Sequence, residues 1–227
     1  MKNITYLFSA IILLFVSSCQ KLDTYDLPNE TLKGKLTDAS GNPFITEQPN
    51  GFQIRIIEDG STQPRDFWGM ADGQFNNTKI FKGNYKILPI NGAFFPIKDT
   101  VKTEISGITT VDFKITPYLT VNASVVANGK NLVATYRINQ AIGAGKISAA
   151  RLLITKWNPN PGMNYSDKSI LRDLSGVLDA TIVQTDYVDQ ITGYAESGVT
   201  YYARVAVLSN NSLGKYNFSA VQKIVVP

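Results

Sequence analysis

Five carboxylates fall within one short stretch of the sequence, Glu47, Glu58, Asp59, Asp66 and Asp72. A pair of carboxylic acids about 5 to 10 Å apart is the chemical minimum for glycoside hydrolysis. With 18 acids spread over 227 residues, however, a cluster of this kind arises by chance. Asp38, Asp59 and Asp72 each precede or begin a turn, the ordinary structural use of aspartate. The chain has no histidine, which removes the Ser-His-Asp triad, the Cys-His dyad, the HExxH zinc site and any imidazole base. Gly143-Ala144-Gly145-Lys146 lacks the glycine spacing and the Ser/Thr of a phosphate-binding loop and reads as a hairpin turn. Asn211-Ser212-Leu213-Gly214 has Asn210 where a nucleophile elbow needs glycine. An Asp-rich calcium loop is absent as well. The expectation is a non-enzyme with no catalytic residue, no metal ligand and no cofactor.

Aromatic side chains offer a different chemistry. The chain carries 11 Tyr, 11 Phe and 2 Trp, and its 44% hydrophobic content excludes a disordered polymer. Asp66-Phe67-Trp68-Gly69-Met70 sits among turn formers, and a Pro/Asn-rich loop places Trp157, Asn158 and Tyr165 close together in sequence. Exposed aromatic planes stack on the C–H faces of sugar rings while amides and charged groups at the rim satisfy the hydroxyls. Phe67, Trp68, Trp157, Asn158 and Tyr165 are therefore the candidate ligand residues; the competing role for both tryptophans is packing in a core or between domains. Phe94-Phe95-Pro96 is a further apolar loop, suited equally to packing between domains and to touching a ligand. The net charge of +4 comes from scattered single lysines, without any Lys/Arg run, so no nucleic-acid partner is expected.

The elements that must carry these residues begin with an export signal. Met1-Lys2-Asn3 precedes an apolar stretch from Ile4 to Val16, too short for a spanning helix. Ser17-Ser18-Cys19 then resembles the bacterial lipobox, which implies lipidation of Cys19, the only cysteine, and cleavage after residue 18. The mature chain would hold no thiol or disulfide, and its membrane attachment would rest on acyl chains whose methylenes contribute about 0.8 kcal/mol each. Residues 19–30 are polar and aperiodic, as expected of a tether. Gln20-Lys21 followed by acidic residues resembles the Bacteroidetes signal for the outer cell surface, with Leu22 where an acid is usual.

From Thr31 onward, short alternating runs bounded by 17 Gly and 10 Pro predict an all-β chain. Strands are expected at 31–36, 52–57, 74–76, 83–88 and 108–115. A boundary falls at Thr116-Pro117-Tyr118, followed by strands at 119–126, 132–138, 149–157, 180–184, 200–208 and 221–226. Leu32-Lys33-Gly34-Lys35-Leu36-Thr37-Asp38, Asp72-Gly73-Gln74-Phe75 and Phe81-Lys82-Gly83-Asn84-Tyr85 resemble the carboxypeptidase-regulatory, transthyretin-like sandwich. That implies Phe75, Phe81 and Tyr85 between two sheets, and positive-φ turns at Gly73 and Gly83. Gly198-Val199-Thr200-Tyr201-Tyr202-Ala203-Arg204-Val205 is similar to the penultimate strand of fibronectin type III domains, with Tyr201 as the tyrosine corner and Tyr136 where that family has tryptophan. Two antiparallel β-sandwiches in tandem follow, at 31–116 and 117–227.

Lipobox, tether and paired sandwiches together resemble uncharacterised two-domain Bacteroidetes lipoproteins encoded beside starch-utilisation-type transporter pairs. The resemblance implies an outer-membrane anchor facing the cell exterior, an oligo- or polysaccharide ligand and a transporter complex as partner; the alternative is a spacer or adhesin without sugar binding. Asp99-Thr100-Val101 resembles the O-glycosylation signal of that phylum, which marks Thr100.

Overall fold

The structure, a computed structural model, describes residues 27–227. The expected signal segment, Cys19 and most of the tether lie outside the described residues. Among the described residues no helix is long and apolar enough to cross a membrane.

Two hydrophobic cores divide the chain. The first is enclosed by β1 (Glu30–Thr37), β2 (Gln53–Glu58), β3 (Arg65–Trp68), β4 (Gln74–Ile80), β5 (Gly83–Ile90), β6 (Val101–Ile105), β7 (Ile108–Thr110) and β8 (Phe113–Lys114). One sheet runs β4-β1-β7 with β8 also on β1, and the other runs β3-β2-β5-β6. Alternation sets which side chains meet: Leu32 and Leu36 of β1 face Ile54 and Ile56 of β2 and Ile87 of β5 across the interior, while Lys33 and Lys35 are exposed. Phe44 packs edge-on against Phe52 and Phe94, with centroids 6.0 and 5.4 Å apart.

The strand expected at 108–115 is interrupted. Both halves pair with β1 in parallel and in one register, Ile108 with Thr31 and Phe113 with Leu36. Between them the carboxylate of Asp112 accepts from Lys35 N at 3.0 Å, so a side chain replaces the ladder carbonyl. Gly73 adopts φ 81°, whereas Gly83 simply starts β5 without a positive φ. Phe81 also departs from expectation: it is only half-buried, under the Arg65 guanidinium, while Phe75 and Tyr85 fill the core.

The second core lies between β9 (Leu119–Asn128), β10 (Asn131–Gln140) and β13 (Tyr187–Ile191) on one side and β11 (Ile147–Thr155), β12 (Lys168–Asp173), β14 (Thr200–Ser209), β15 (Tyr216–Phe218) and β16 (Gln222–Val225) on the other. All pairings here are antiparallel. Tyr201 is fully buried, donates to the Tyr194 carbonyl at 2.7 Å and accepts from Glu196 N at 3.1 Å, the tyrosine-corner arrangement. At the β12–β13 edge, buried Tyr136 donates to Asp189 at 2.7 Å, and Arg172 pairs with the same carboxylate. Burial, with Asp189 beside it, pushes the Tyr136 phenol well above its usual range.

The strand expected at 180–184 is instead a helical turn, α1 (Asp179–Ile182). Only Ile182 of that turn is buried, and backbone bonds close locally, Ile182 N to Leu178 O and Val183 N to Asp179 O. Asp179 accepts from Ile147 N, which fixes the turn against the start of β11.

Candidate functional site

β11 ends at Thr155, so Trp157 stands beyond the strand and is 61% exposed. Its indole N–H donates to Asp167 Oδ1 at 2.6 Å, while Asp167 Oδ2 accepts from Lys156 N at 2.7 Å. Burial alone would raise the Asp167 carboxyl, but donors from Lys156, Trp157, Thr155 and Tyr194 outweigh it and hold the group below its ordinary value of 3.8. Lys156 pairs with Glu196 at 2.6 Å and lies 5.1 Å above the Tyr194 ring. The hydrogen bond to Glu196 raises its pKa. The result is an aromatic plane whose polar atom is already satisfied by the protein and beside which Lys156 is paired with Glu196. Such a plane is oriented in advance and leaves its carbon face to solvent.

The other members of that loop serve it structurally. Asn158 is half-buried, and its side-chain oxygen accepts from Asn160 N at 2.9 Å, so that oxygen builds the turn. Tyr165 is 40% exposed and closes a turn with Gly162, where a Cβ would come within 2.9 Å of Glu47. It therefore borders the first sandwich. No hydrogen bond or ring contact joins it to Trp157.

Trp68 is placed in β3, an edge strand, rather than in a loop. Alternation along β3 leaves Trp68 42% exposed and turns Phe67 inward, 6.2 Å from the Phe75 ring, so Phe67 is a packing residue. The Lys215 ammonium lies 5.2 Å from the Trp68 ring and donates to the Asn50 carbonyl at 2.7 Å. Trp68 thus stands where the two sandwiches meet, and the two tryptophans do not share a site.

The junction itself is closely tied. Arg204, on the outer face of β14, is 1% exposed and donates to the carbonyls of Thr46 and Pro161. Its guanidinium lies 3.9 Å from the Phe218 ring centroid. Desolvation pulls it down to about 10, partly offset by Glu47. Asn217, also buried, accepts from Leu119 N and donates to Ala93 O. Phe95 packs against Tyr118 at 4.7 Å, which places the Phe94-Phe95-Pro96 loop between the domains.

The carboxylates expected to cluster in sequence are dispersed in function. Glu47 accepts from Met163 N, Glu58 pairs with Arg65, Asp66 with Arg55, and Asp72 caps the turn at Gln74. Asp59 lies at the exposed Asp59-Gly60 turn. Among the described residues no group of three or more acids gathers to hold a metal ion. Thr100 is exposed just ahead of β6. Asp167, Tyr194, Lys215 and Arg204 were not foreseen as site or junction residues, because each acts on a partner from another segment.

Residues 30–116 match the model of the DUF3823 N-terminal domain, described as a protein of unknown function. No curated protein matches the chain. A solved DUF3823 family protein from Bacteroides uniformis is 24% identical, with a TM-score of 0.74 over 88% of this chain and 100% of that one. One from Bacteroides ovatus is 23% identical, with a TM-score of 0.70 over the same shares. A third structure, from Bacteroides uniformis and described as a "putative carbohydrate binding protein", is 21% identical with a TM-score of 0.71 over the same shares. At these identities the likeness establishes the all-β fold alone.

Proposed function

We propose that this chain, whose residues 30–116 carry a DUF3823 N-terminal domain, is a non-catalytic carbohydrate-binding lipoprotein. In this reading Cys19 bears the lipid, the sandwiches project from the outer membrane to the cell exterior, and the protein assists a polysaccharide-uptake transporter. The observation that carries it is the Trp157 plane, exposed and held by its own N–H on Asp167. A plane fixed in advance loses little side-chain entropy when a sugar stacks on it. The structural relative described as a "putative carbohydrate binding protein" adds support.

The test uses the chain from Gln20 onward with Trp68→Phe, so that Trp157 is the only tryptophan, titrated with neutral oligosaccharides. Saturable fluorescence changes with Kd between millimolar and micromolar, about −4 to −8 kcal/mol, are expected, and Trp157→Ala in the otherwise unaltered chain should remove them. Flat titrations across the panel would sink the reading. A spacer that braces an outer-membrane complex is the second reading, favoured by the buried Arg204 and Asn217 ties between the sandwiches. It predicts co-purification with that complex and no sugar response.

A further inference from the structure

All three non-glycine residues with positive φ among the described residues, Asn50 (69°), Asn91 (54°) and Leu213 (52°), converge on one face of the domain junction. Such backbone costs about 1 to 3 kcal/mol per residue and persists where surrounding structure imposes it, commonly at binding sites. Each of the three has a specific place here. Asn50 holds Lys215 through its carbonyl, at 2.7 Å. Asn91 donates its amide to Gln53 Oε1, also at 2.7 Å. Leu213, 84% exposed, lines with Asn91 and Ile90 a cleft of about 260 Å³.

Strand pairing connects the cleft to Trp68. Gln53 stands opposite Trp68 on β3 and opposite Ile90 on β5, so the three side chains share one sheet face. At about 4.8 Å per strand the tryptophan and the cleft wall are roughly 10 Å apart, with the Gln53–Asn91 amides between them. Lys215 overhangs this floor from the second sandwich, and none of the ion pairs among the described residues includes it. An aromatic plane, two amides and an uncompensated ammonium form a surface that complements a ring with hydroxyls and a negative substituent.

We infer that this junctional face is a second saccharide site, distinct from Trp157, whose ligand is an acidic sugar chain such as an oligouronide. The inference rests on the carbohydrate reading above but is tested at a different tryptophan. In the chain from Gln20 onward, Trp157→Phe leaves Trp68 as the only fluorophore. Tetragalacturonate should change its emission saturably, and the neutral maltotetraose should bind at least tenfold more weakly. Lys215→Met should abolish that preference. Asn91→Gly removes the amide while supplying the residue that tolerates positive φ; it should weaken tetragalacturonate at least threefold with a melting temperature equal to or above the parent's. Equal affinity for the two tetrasaccharides, a full response to monomeric galacturonate or inorganic phosphate, or no Trp68 response at all would overturn the assignment. The outcome is independent of Trp157, because the carbohydrate reading is judged in the Trp68→Phe protein.

Discussion

Arg204, midway along β14 in the second sandwich, donates from Nη1 to the carbonyl of Thr46 in the first, 2.9 Å away and 158 positions earlier in the chain. Its Nε donates to Pro161 O, so one guanidinium joins the loop after β1 to the loop after β11. The contact covers Leu153, Ala206 and Phe218, on the face of β14's sheet turned away from the second core, with Ile45 and Met163 packed over them. A sheet face that would otherwise be wet becomes the floor of a domain interface.

Two replacements of Arg204 separate its filled volume from its charge and hydrogen bonds. A cation whose pKa is lowered costs folding energy below its folded pKa, and the cost is relieved as pH rises through about 10. That burial cost is about 3 kcal/mol. Arg204→Met removes it but orphans two carbonyls at about 1 to 3 kcal/mol each, so overall stability should lie between a gain of about 1 and a loss of about 3 kcal/mol. Arg204→Ala adds a cavity beneath Phe218 and should cost about 3 to 5 kcal/mol. Urea unfolding checks both; a methionine variant as unstable as the alanine one would show that the guanidinium's hydrogen bonds, rather than the filled volume, hold the junction.

Acid should release Trp157. Asp167 has a lowered pKa, so the stability it contributes is present above its unfolded value of 3.8 and is lost as pH falls through the lower folded value. In the Trp68→Phe protein, emission should stay constant from neutral pH to about 4 and shift red only below that, as the indole N–H loses its carboxylate. Asp167→Ala should show the red-shifted spectrum already at neutral pH and no acid transition. A midpoint above 3.8 would contradict the assigned direction.

Sequence reading located what is local. Tyr201 and its strand follow from a contiguous motif. Gly143–Lys146 is a turn, as its glycines indicate, but it is not the expected hairpin, because β10 and β11 on either side of it belong to different sheets. It missed β12 and β13, whose positions at sheet edges leave their residues alternately exposed and only weakly apolar in pattern. Residues 180–184 combine β-branched and apolar types, and tertiary context overrides that local preference, because β10 already has β9 and β13 on its two sides. Trp68 was placed in a loop because β3 is only four residues long and is paired on one side. The tryptophans were legible as candidates; Asp167 and Lys215 were not, since their value comes from folding distant segments together.

Gly34 gives the sharpest stability test, because its requirement is steric rather than conformational. Its φ is ordinary, but a Cβ would stand 1.8 Å from the Val111 carbonyl oxygen and 2.6 Å from the Phe75 ring. The oxygen is backbone, fixed where Val111 N donates to Lys33 O at 2.9 Å and Asp112 takes Lys35 N. Neither side of the contact can yield without breaking the β1–β7–β8 pairing. Gly60 is the opposite case, with φ 85° and nothing within 4 Å of a Cβ. Gly60→Ala should therefore cost only the left-handed penalty, about 1 kcal/mol, while Gly34→Ala should cost about 3 kcal/mol or more as an overpacked site. Chemical denaturation of the two variants ranks them, and a Gly34→Ala protein as stable as Gly60→Ala would mean that the ladder at Val111 gives way more easily than its bonds indicate.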